Sequence, residues 1–429
     1  MSSINQDKVR ISSLLPLALE NDSRTLKIAK SFARAGYISE VHEHIASTKT
    51  FPPLENFSVH PLWPRTFEWV RNITKRGWKV DNADKIPSHS RPSIANDSIK
   101  NIIDAIHFLL FIAAYFCIRP LCAALKPPRT NIIYLHEYRL FPVAWIWQKL
   151  TGAKLIYDAH DFYPLVRSMD SLSLFWRSIF LPFLEYIERS VCRTADAVIT
   201  TSDGIAGLIL DKYGVTATVI RNCHDSFSDR KSAELLRQTL SIAPDQPILA
   251  VVGHRKPAQS LNILIDNIIR LNQNGKAIHL VFIGRGYEPL VDDTPDAAGK
   301  CIHTLGAVPP WEIVPLLTEC NAVALPYFPE NAHYQFALPN GFFQAVAARL
   351  PLLYPPLLEI ERLLDGTNSG IAYDPRQNES VKTALSRLLQ DVSKNHTDHS
   401  GLERISSQLN WQNEELKLLE LIRSVKREE

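Results

Sequence analysis

Short apolar runs rich in β-branched residues alternate with amphipathic segments along most of the chain. In one such segment, Leu261, Leu264, Ile265, Ile268 and Leu271 recur at the period of an α-helix. Strands that alternate with helices are typical of parallel sheets with helices on both faces. The sequence therefore predicts an α/β protein built from doubly wound, Rossmann-like sheets. Its predicted strands are Asn131–Leu135, Ala153–Asp161, Asp196–Ser202, Pro247–Gly253, Ala277–Gly284 and Asn321–Tyr327.

A polar segment, Asp225–Gln246, separates these strands into two groups. We expect residues 1–225 to form one doubly wound domain, residues 226–410 a second, and residues 411–429 an amphipathic helix that crosses back to the first domain. Ligands of such folds bind at the carboxyl ends of the strands. The loops after the strands are therefore expected to face each other across a cleft. Residues 47–98 are less regular, with one strand expected near Phe57.

The stretch Ala337–Pro351, ALPNGFFQAVAARLP, predicts the start of a buried helix. Pro339 suits the first turn, and apolar residues follow at helical spacing. Gly341 and Gln344, three positions apart, share a face that carries no charge. The chemistry of that face bears directly on function.

Composition and charge narrow the class of protein. A chain of 429 residues with 45% hydrophobic and 21% charged residues is ordinary for a folded globular protein. The net charge of +2 gives no overall field that would attract nucleic acid. No Asp-x-Asp cluster and no zinc-type Cys/His spacing is present, so we expect no bound metal and no cofactor. We expect the cysteines to be reduced core residues. They are Cys117, Cys122, Cys192, Cys223, Cys301 and Cys320.

Two apolar segments are compatible with a contact to a membrane. Ala105–Ile118 is an apolar run of fourteen residues, shorter than the roughly 20 that a transmembrane helix needs. Leu172–Leu184 places Phe and Trp residues beside Arg177. Each segment is either a core helix or a helix lying in a membrane interface. Because the first residues contain no run long enough for a secretory signal, we expect a cytoplasmic protein, with the interface alternative placing it on the inner membrane face.

Several motifs, in their order, resemble glycosyltransferase family 4, the retaining two-domain enzymes of the GT-B fold that use a nucleotide-sugar donor. In the first half they are NDSRTLKIAKSFARAG, YDAHDFYP, ADAVITTSDGIAGLI and VIRNCHD. In the second half they are FIGRGYE, LGAVPPWEIVPLLTECNAVALPYFP and LPNGFFQAVAARLP. The resemblance covers most of the chain. It implies an acceptor-side first domain and a donor-binding second domain.

The resemblance also implies a set of site residues. His160 matches the family's histidine that contacts the transferred sugar, although a lone histidine is also a common structural residue. Asp161 either caps the next segment or orients His160. Gly284 and Gly286 after a strand allow a backbone to approach a phosphate, or form a simple tight turn. The donor-side candidates are Gly253, Arg255, Lys256, Gly284, Gly286, Glu288, Asn340 and Gln344, and the acceptor-side candidates are Ser23, Arg24 and Asp161.

The donor-side motifs depart from the family pattern at four positions. His254 stands where relatives carry arginine, and Gln259 stands where they carry lysine. Gly341 and Gln344 replace a lysine and a glutamate, and Phe336 occupies the place of a second acid. Arg255 and Lys256 either supply the missing charge or are solvated loop residues. Candidates for compensation near the sugar end, which are equally well explained as solvated loop residues, are Glu330, Asn331 and His333.

Two functions therefore remain open from the sequence. One is a metal-independent retaining glycosyltransferase that moves a sugar from a nucleotide-sugar donor to a lipid-linked or polysaccharide acceptor in cell-surface glycan synthesis, with an unusual donor as a variant of the same idea. The other is a catalytically inactive relative that serves as a scaffold or binding subunit of a polysaccharide-synthesis assembly. The four departures favour the second function, and the retained His160 and glycines favour the first.

Overall fold

The computed structural model describes residues 8–48, 50–62, 126–165, 174–225, 235–256, 259–292, 301–328, 331–394 and 399–427, with isolated positions at 106, 109, 113, 121 and 122. Most of the segment Ala105–Ile118 and the start of Leu172–Leu184 lie outside the described residues, and so does Glu330. Contacts divide the chain into two units. Unit 1 comprises Met1–Ile220 with Glu415–Glu429, and unit 2 comprises Arg221–Glu414.

Unit 1 contains a parallel sheet of seven strands in the order β3-β2-β1-β4-β5-β6-β7. The order reverses direction beside β1, which is the arrangement that places ligands at the carboxyl ends of the central strands. The strands are β1 (Arg10–Leu15), β2 (Ile38–Glu43), β3 (Phe57–Pro61), β4 (Ile132–His136), β5 (Lys154–Ala159), β6 (Ala197–Thr200) and β7 (Ala217–Val219).

Local signals explain where the helices of unit 1 begin and end. The side chain of Asp22 caps the first helix by accepting from the backbone N–H of Thr25, and Ser202 caps the fourth by accepting from that of Ile205. Gly152 and Gly214 end two helices in the left-handed conformation. The helices are α1 (Ser23–Arg34), α2 (Phe141–Thr151), α3 (Leu174–Thr194) and α4 (Asp203–Tyr213).

Unit 2 contains a parallel sheet of six strands in the order β10-β9-β8-β11-β12-β13. The strands are β8 (Ile248–Val252), β9 (His279–Ile283), β10 (Ile302–Gly306), β11 (Ala322–Ala324), β12 (Leu352–Tyr354) and β13 (Gly370–Ala372). The helices are α5 (Leu235–Leu240), α6 (Asn262–Gln273), α7 (Glu288–Asp292), α8 (Pro310–Leu317), α9 (Ala332–Phe336), α10 (Asn340–Ala347), α11 (Leu358–Leu364), α12 (Asn378–Ser393), α13 (His399–Gln408) and α14 (Trp411–Arg427).

The second sheet is buried on both faces. Along β8, Leu249 and Val251 belong to one hydrophobic cluster, whereas Ile248, Ala250 and Val252 belong to another. Successive side chains of a strand point to opposite faces, so the two clusters are cores on the two sides of the sheet. Strands buried in this way consist of continuous apolar runs, which is why the sequence predicted them.

Five of the six predicted strands contain an observed strand, β5, β6, β8, β9 or β11, and the sixth overlaps β4, which ends one residue later at His136. β3 begins at the expected Phe57. The doubly wound α/β fold class is confirmed. The structure describes α14 as one helix that starts in unit 2, and residues Glu415–Glu429 group with unit 1. That α14 crosses back to pack on the first domain stays a prediction. Among the described residues, no helix combines the length and the apolar character that a membrane span requires.

Candidate active site

The loop between β1 and α1 is fixed by a buried carboxylate. Glu43, at the end of β2, accepts the backbone N–H of Leu19 at 3.0 Å and the Ser47 hydroxyl at 2.7 Å. Glu43 is 4% exposed, and its second oxygen accepts the Ser47 N–H at 2.6 Å. This anchor explains how the loop is held. The loop then delivers Asp22 and Ser23 to the beginning of α1, where Asp22 is the cap and Ser23 the first helical residue.

Arg24 and Asp158 form a buried ion pair. The guanidinium donates through Nε to Oδ2 of Asp158 at 3.0 Å and through Nη2 to Oδ1 at 2.9 Å. Its Nη1 donates to the carbonyl of Ile220 at 2.7 Å, and both side chains are almost fully buried. Arg24 was expected to face an acceptor. Its guanidinium is instead bound to the carboxylate of β5, so any effect on a substrate passes through Asp158.

His160 lies just past β5 and contacts the same carboxylate. Its Nε2 is 3.4 Å from Oδ2 of Asp158, an oxygen that also accepts the hydroxyl of Tyr134 at 3.0 Å. Burial acts to lower the pKa of His160, but the charge and hydrogen bond of Asp158, aided by Asp22, raise it to about 9. His160 is therefore an imidazolium at neutral pH, held at the carboxyl edge of the first sheet.

A second histidine completes the cluster. His136 ends β4, is fully buried, and places its Nδ1 3.3 Å from Nε2 of His160. Burial lowers its pKa to about 3, against the attraction of Asp158, so its ring is neutral. Within the described part of the chain, its Nε2 is buried and has no hydrogen-bond partner. The Arg24 charge and the His160 charge thus flank one carboxylate, with a neutral imidazole alongside.

The same three groups, His136, Asp158 and His160, place ligand atoms within 4.8 Å of one another, close enough for a metal ion. Asp158, however, already accepts two hydrogen bonds from Arg24, one on each oxygen. A divalent cation on this carboxylate would stand beside a fixed guanidinium and would be repelled by it. The donor set therefore fits an ion-pair network better than a metal centre.

Asp161 lies outside these contacts. The carboxylate beside His160 is that of Asp158, two positions earlier in the chain. Burial is the main cause that raises the pKa of Glu188 to about 8, and the negative charge of Asp161 adds to it. The capping role expected for Asp161 stays a prediction.

In unit 2, the loops after β8 and β9 approach each other through two glycines. Gly253 has φ +111, and its N–H donates to the carbonyl of Ile283 at 3.0 Å. A Cβ on Gly284, which has φ +157, would lie 1.8 Å from the carbonyl oxygen of Gly253. No side chain fits there, so Gly284 is required by backbone packing alone. Gly286, at φ +87, continues the same loop.

The cations expected to bind phosphate stand on these loops. The backbone N–H of Arg255 donates to the carbonyl of Arg285 at 3.0 Å, and its Nη1 lies 3.5 Å from the carbonyl oxygen of Gly286. The N–H of Gly286 donates to Glu288 at 2.9 Å, so that carboxylate lies against the glycine loop. Lys256 is exposed. These residues share one loop region, and their role in donor binding stays a prediction.

The residues at two departures from the family pattern have local structural roles. Gln259 accepts the N–H of Lys256 at 3.0 Å and contacts the hydroxyl of Tyr287 at 3.1 Å, which closes its own loop. The Nδ1 of His254 lies 3.4 Å from the N–H of Arg285. Burial, followed by the charges of Arg285 and Lys256, lowers the pKa of His254, so this imidazole is neutral at pH 7. It does not replace the positive charge that relatives carry at this place.

The uncharged face of α10 is packed inside the protein. Gly341 is buried, and a Cβ there would lie 3.2 Å from Cδ2 of Leu325 and 3.6 Å from the carbonyl oxygen of Val252. A lysine would have to displace packed apolar atoms. Gln344 is 5% exposed, and within the described chain its Oε1 is buried with no hydrogen-bond partner. This face of α10 therefore lies against the protein and contains one unused amide oxygen.

Asn340 begins α10 and is exposed, and its Oδ1 accepts from Nδ2 of Asn222 at 2.7 Å. Asn331 caps α9 by accepting the N–H of Tyr334 at 3.2 Å. His333 is 4% exposed and lies in α9. Of the residues proposed to compensate for the lost charges, Asn331 therefore has a clear capping role and His333 is largely buried.

Sequence reasoning did not single out Tyr134, His136 or Asp158. A usable signal was present, because Asp158 and His160 alternate along one predicted strand and His136 follows the strand before it. In the sheet, His136 of β4 pairs in register with Asp158 of β5. Knowing that two strands are neighbours does not fix their register, and the register is what brings these residues together.

The chain matches two models of protein families. Residues 52–226 match Glycosyltransferase Family 4, and residues 246–391 match Glycosyl transferases group 1. No curated protein matches the sequence.

Solved structures share the fold over nearly their whole length. Sucrose-phosphate synthase from Thermosynechococcus elongatus is 13% identical with a TM-score of 0.66, and the match covers 98% of this chain and 100% of that chain. HepE of Anabaena in complex with UDP is 15% identical with a TM-score of 0.62 and coverage of 97% and 100%. WaaG, a glycosyltransferase involved in lipopolysaccharide biosynthesis, is 13% identical with a TM-score of 0.62 and coverage of 96% and 99%.

Proposed function

We propose, from the premise that this chain belongs to the glycosyltransferases with a family 4 domain followed by a group 1 domain, that it transfers a sugar from a nucleotide-sugar donor to a lipid-linked or polysaccharide acceptor. The transfer retains the configuration at the sugar carbon and needs no metal. The proposed role is in cell-surface glycan synthesis. Because HepE of Anabaena was solved with UDP and with UDP-glucose, we take uridine-diphosphate sugars as the first donors to test.

The observation that carries this proposal is the ion-pair network that holds His160. Burying the charges of Arg24 and Asp158 costs desolvation energy that the pair itself often does not recover, so such networks are poor devices for stability. This one ends on a protonated imidazole at the carboxyl edge of a doubly wound sheet, where ligands of these folds bind. A function at His160 explains why the network is present.

In the proposed reaction, the bond between the sugar carbon and the diphosphate oxygen breaks, and the acceptor oxygen bonds to that carbon on the same face. The acceptor proton passes to an oxygen of the departing phosphate. The imidazolium of His160 donates a hydrogen bond to an oxygen of the transferred sugar and places positive charge near the negative charge that develops. Arg24 and Asp158 fix the ring.

Unit 2 supports donor binding through Gln344. A buried amide oxygen without a partner is destabilising by about 1–3 kcal/mol. A hydroxyl of a bound ribose would satisfy it if the Gln344 side chain, which is 5% exposed, turns toward the ligand. The loop of Gly253, Gly284 and Arg255 supplies backbone and one cation for a diphosphate. His254 and Gly341 lack the positive charges that the family pattern has at these positions, and Gln344 lacks its negative charge.

Calorimetric titration of the full chain with UDP, GDP and ADP tests donor binding. We expect one of these to bind and Gln344→Leu to weaken its binding by roughly five- to tenfold, the loss of one hydrogen bond. Gln390→Leu, at an exposed position of α12, is the matched control and should bind as the wild type does. Failure of every nucleotide to bind the folded protein would contradict the donor site.

The packing at Gly341 favours a second candidate function. A Cβ at Gly341 would lie 3.2 Å from Cδ2 of Leu325, so the lysine of the family pattern would require the Leu325 side chain to shift by a few tenths of an ångström. A chain that has lost donor contacts is suited to act as a scaffold or binding subunit of a polysaccharide-synthesis assembly. That alternative is expected to show no nucleotide binding and no turnover, so the same titration separates the two functions.

A further inference from the structure

The contact between His136 and His160 determines which ring nitrogen of His160 is available to a substrate. His160 Nε2 lies 3.3 Å from Nδ1 of His136 and 3.4 Å from Oδ2 of Asp158. A carboxylate only accepts hydrogen bonds, so Nε2 of His160 must carry a proton to be stable beside it. The same Nε2–H lies within hydrogen-bond distance of Nδ1 of His136, which is 3.8 Å from Oδ2 of Asp158 and is then the unprotonated nitrogen of its ring. The geometry thus fixes both rings.

His136 is not explained by stability. Its ring is fully buried, and with Nδ1 as the acceptor, its own N–H is at Nε2, which has no partner among the described residues. An unpartnered buried donor is unfavourable, and an apolar residue of similar size would avoid it. What an apolar residue would lack is the acceptor at Nδ1. The useful property of His136 at this position is therefore that acceptor.

We propose that His136 is a positioning residue for His160: its Nδ1 accepts the Nε2–H of His160, and this leaves Nδ1 of His160 as the nitrogen that meets the substrate, as a hydrogen-bond donor to a sugar or phosphate oxygen. His160 then acts as a donor and a fixed charge and does not act as a base. The inference rests on the proposed function for what lies opposite Nδ1, whereas the orientation of the two rings stands on its own.

The surroundings of His160 agree with a donor. The ionisable groups around it are Asp158 from β5, Tyr134 and His136 from β4, Asp22 at the cap of α1 and Arg24 in α1. The two carboxylates favour the charged ring, the Arg24 guanidinium opposes it, and the neutral His136 accepts from it without adding a like charge. A protonated second imidazole would repel His160, so the low basicity of His136 is part of the arrangement.

The direct test is NMR of the full chain with ¹⁵N-labelled histidine, with His160 assigned by its loss in His160→Gln. We expect Nε2 of His160 to remain protonated from pH 6 to 10 and Nδ1 to be the titrating nitrogen.

Two variants distinguish the loss of the acceptor atom of His136 from the loss of its side-chain volume. His136→Asn keeps an acceptor oxygen close to the position of Nδ1, whereas His136→Leu removes it. The Asn variant should keep the His160 spectrum, whereas the Leu variant, which leaves Asp158 as the acceptor beside Nε2–H, should shift the Nε2 resonance of His160.

Turnover of the donor gives a second measurement. We expect His136→Leu to lower kcat about tenfold with a smaller change in KM, and His136→Asn to stay within about twofold. His42→Leu, which replaces a partly buried imidazole of unit 1 that contacts Trp147, should leave turnover unchanged. Thermal unfolding of each variant shows that it is folded.

Equal His160 spectra in His136→Leu and wild type would overturn the inference, and so would a titrating Nε2. Zinc added alone that shifts both imidazoles at micromolar concentration would also overturn it, because the three groups would then be metal ligands. If the wild type turns over no donor, the proposed function fails, and the spectra still decide the orientation of the two rings.

Discussion

Arg24 and Asp158 join α1 to β5 through two parallel hydrogen bonds of 3.0 and 2.9 Å, with both side chains removed from solvent. Two-pronged contacts of this kind fix direction as well as distance. The carboxylate can therefore hold His160 in one orientation, since one of its oxygens faces the ring.

Removing one partner of this pair should be strongly destabilising. We expect Arg24→Leu to lower the free energy of unfolding of unit 1 by about 3–5 kcal/mol, because Asp158 would be left charged and buried. Hydrogen exchange of β4 and β5 during denaturation reports unit 1 separately. Lys382→Ala, in an exposed pair with Glu379, should change stability by less than about 1 kcal/mol. Similar small effects from both variants would contradict a buried ion pair.

The stability of the protein should depend on pH through the buried carboxyl of Glu188. Burial raises its pKa from 4.5 to about 8, against hydrogen bonds from Tyr213 at 3.0 Å and Tyr157 at 3.4 Å. Between these two pKa values, the folded chain keeps a proton that the unfolded chain releases. Stability from this group is therefore fully present below the unfolded pKa and is lost as pH rises through the folded pKa.

Glu188→Gln should remove that dependence. We expect the fall in thermal midpoint between about pH 5 and 8 to be smaller in Glu188→Gln than in the wild type. Glu185→Gln, at a half-buried position one helical turn away that pairs with Lys212, serves as the control and should keep the wild-type slope. A wild-type slope in Glu188→Gln would show that Glu188 is ionised in the folded chain.

Backbone packing makes Gly284 irreplaceable. Gly284→Ala would place a methyl group 1.8 Å from the carbonyl oxygen of Gly253, so the two loops must separate. We expect a loss of stability in unit 2 of more than about 2 kcal/mol and loss of nucleotide binding. Gly207→Ala, in helix α4 with open space around it, should stabilise unit 1 by about 0.5–1 kcal/mol. Normal nucleotide binding by Gly284→Ala would exclude this loop from the donor site.

We propose that α3 contacts a membrane interface, one of the two alternatives left open for Leu172–Leu184, and this contact can be tested on described residues of α3. Ile179 and Tyr186, seven positions apart on one face, are 40% and 68% exposed, and exposed Arg189 follows them. Apolar residues beside arginine suit an anionic lipid surface. We expect the wild type to float with liposomes that contain anionic lipid and Ile179→Glu/Tyr186→Glu to remain behind. The control is Trp311→Glu, an exposed apolar position in unit 2. Flotation of the α3 variant would contradict the proposal.

The sequence predicted the central strands because they are buried on both faces and consist of continuous apolar runs. β4 and β8 are buried along their full length. β7, β12 and β13 have only three residues each, and the predicted β11 is as short but lies within the longer apolar run Asn321–Tyr327. So short a run shows no period, and the formation of such strands depends on the neighbour they pair with.

The site was predictable only where one motif contains it. His160 was found because its surrounding motif resembles a family. Its partners His136 and Arg24 come from other elements, and the register of the sheet and the direction of α1 decide that they meet. The uncharged face of α10 was visible in the sequence. The contact of Gly341 with the Leu325 side chain was not, because Leu325 follows β11 and comes from another part of the chain.

Turnover of a sugar nucleotide tests the central claim most directly. The full chain is incubated with uridine-, guanosine- and adenosine-diphosphate sugars, and release of the nucleoside diphosphate is measured for the wild type and for His160→Gln. We expect one donor to be consumed and His160→Gln to lower its kcat by roughly 10²-fold or more, the loss expected for a group that acts on the transition state. No release from any donor by the wild type, or equal release by His160→Gln, would contradict the account.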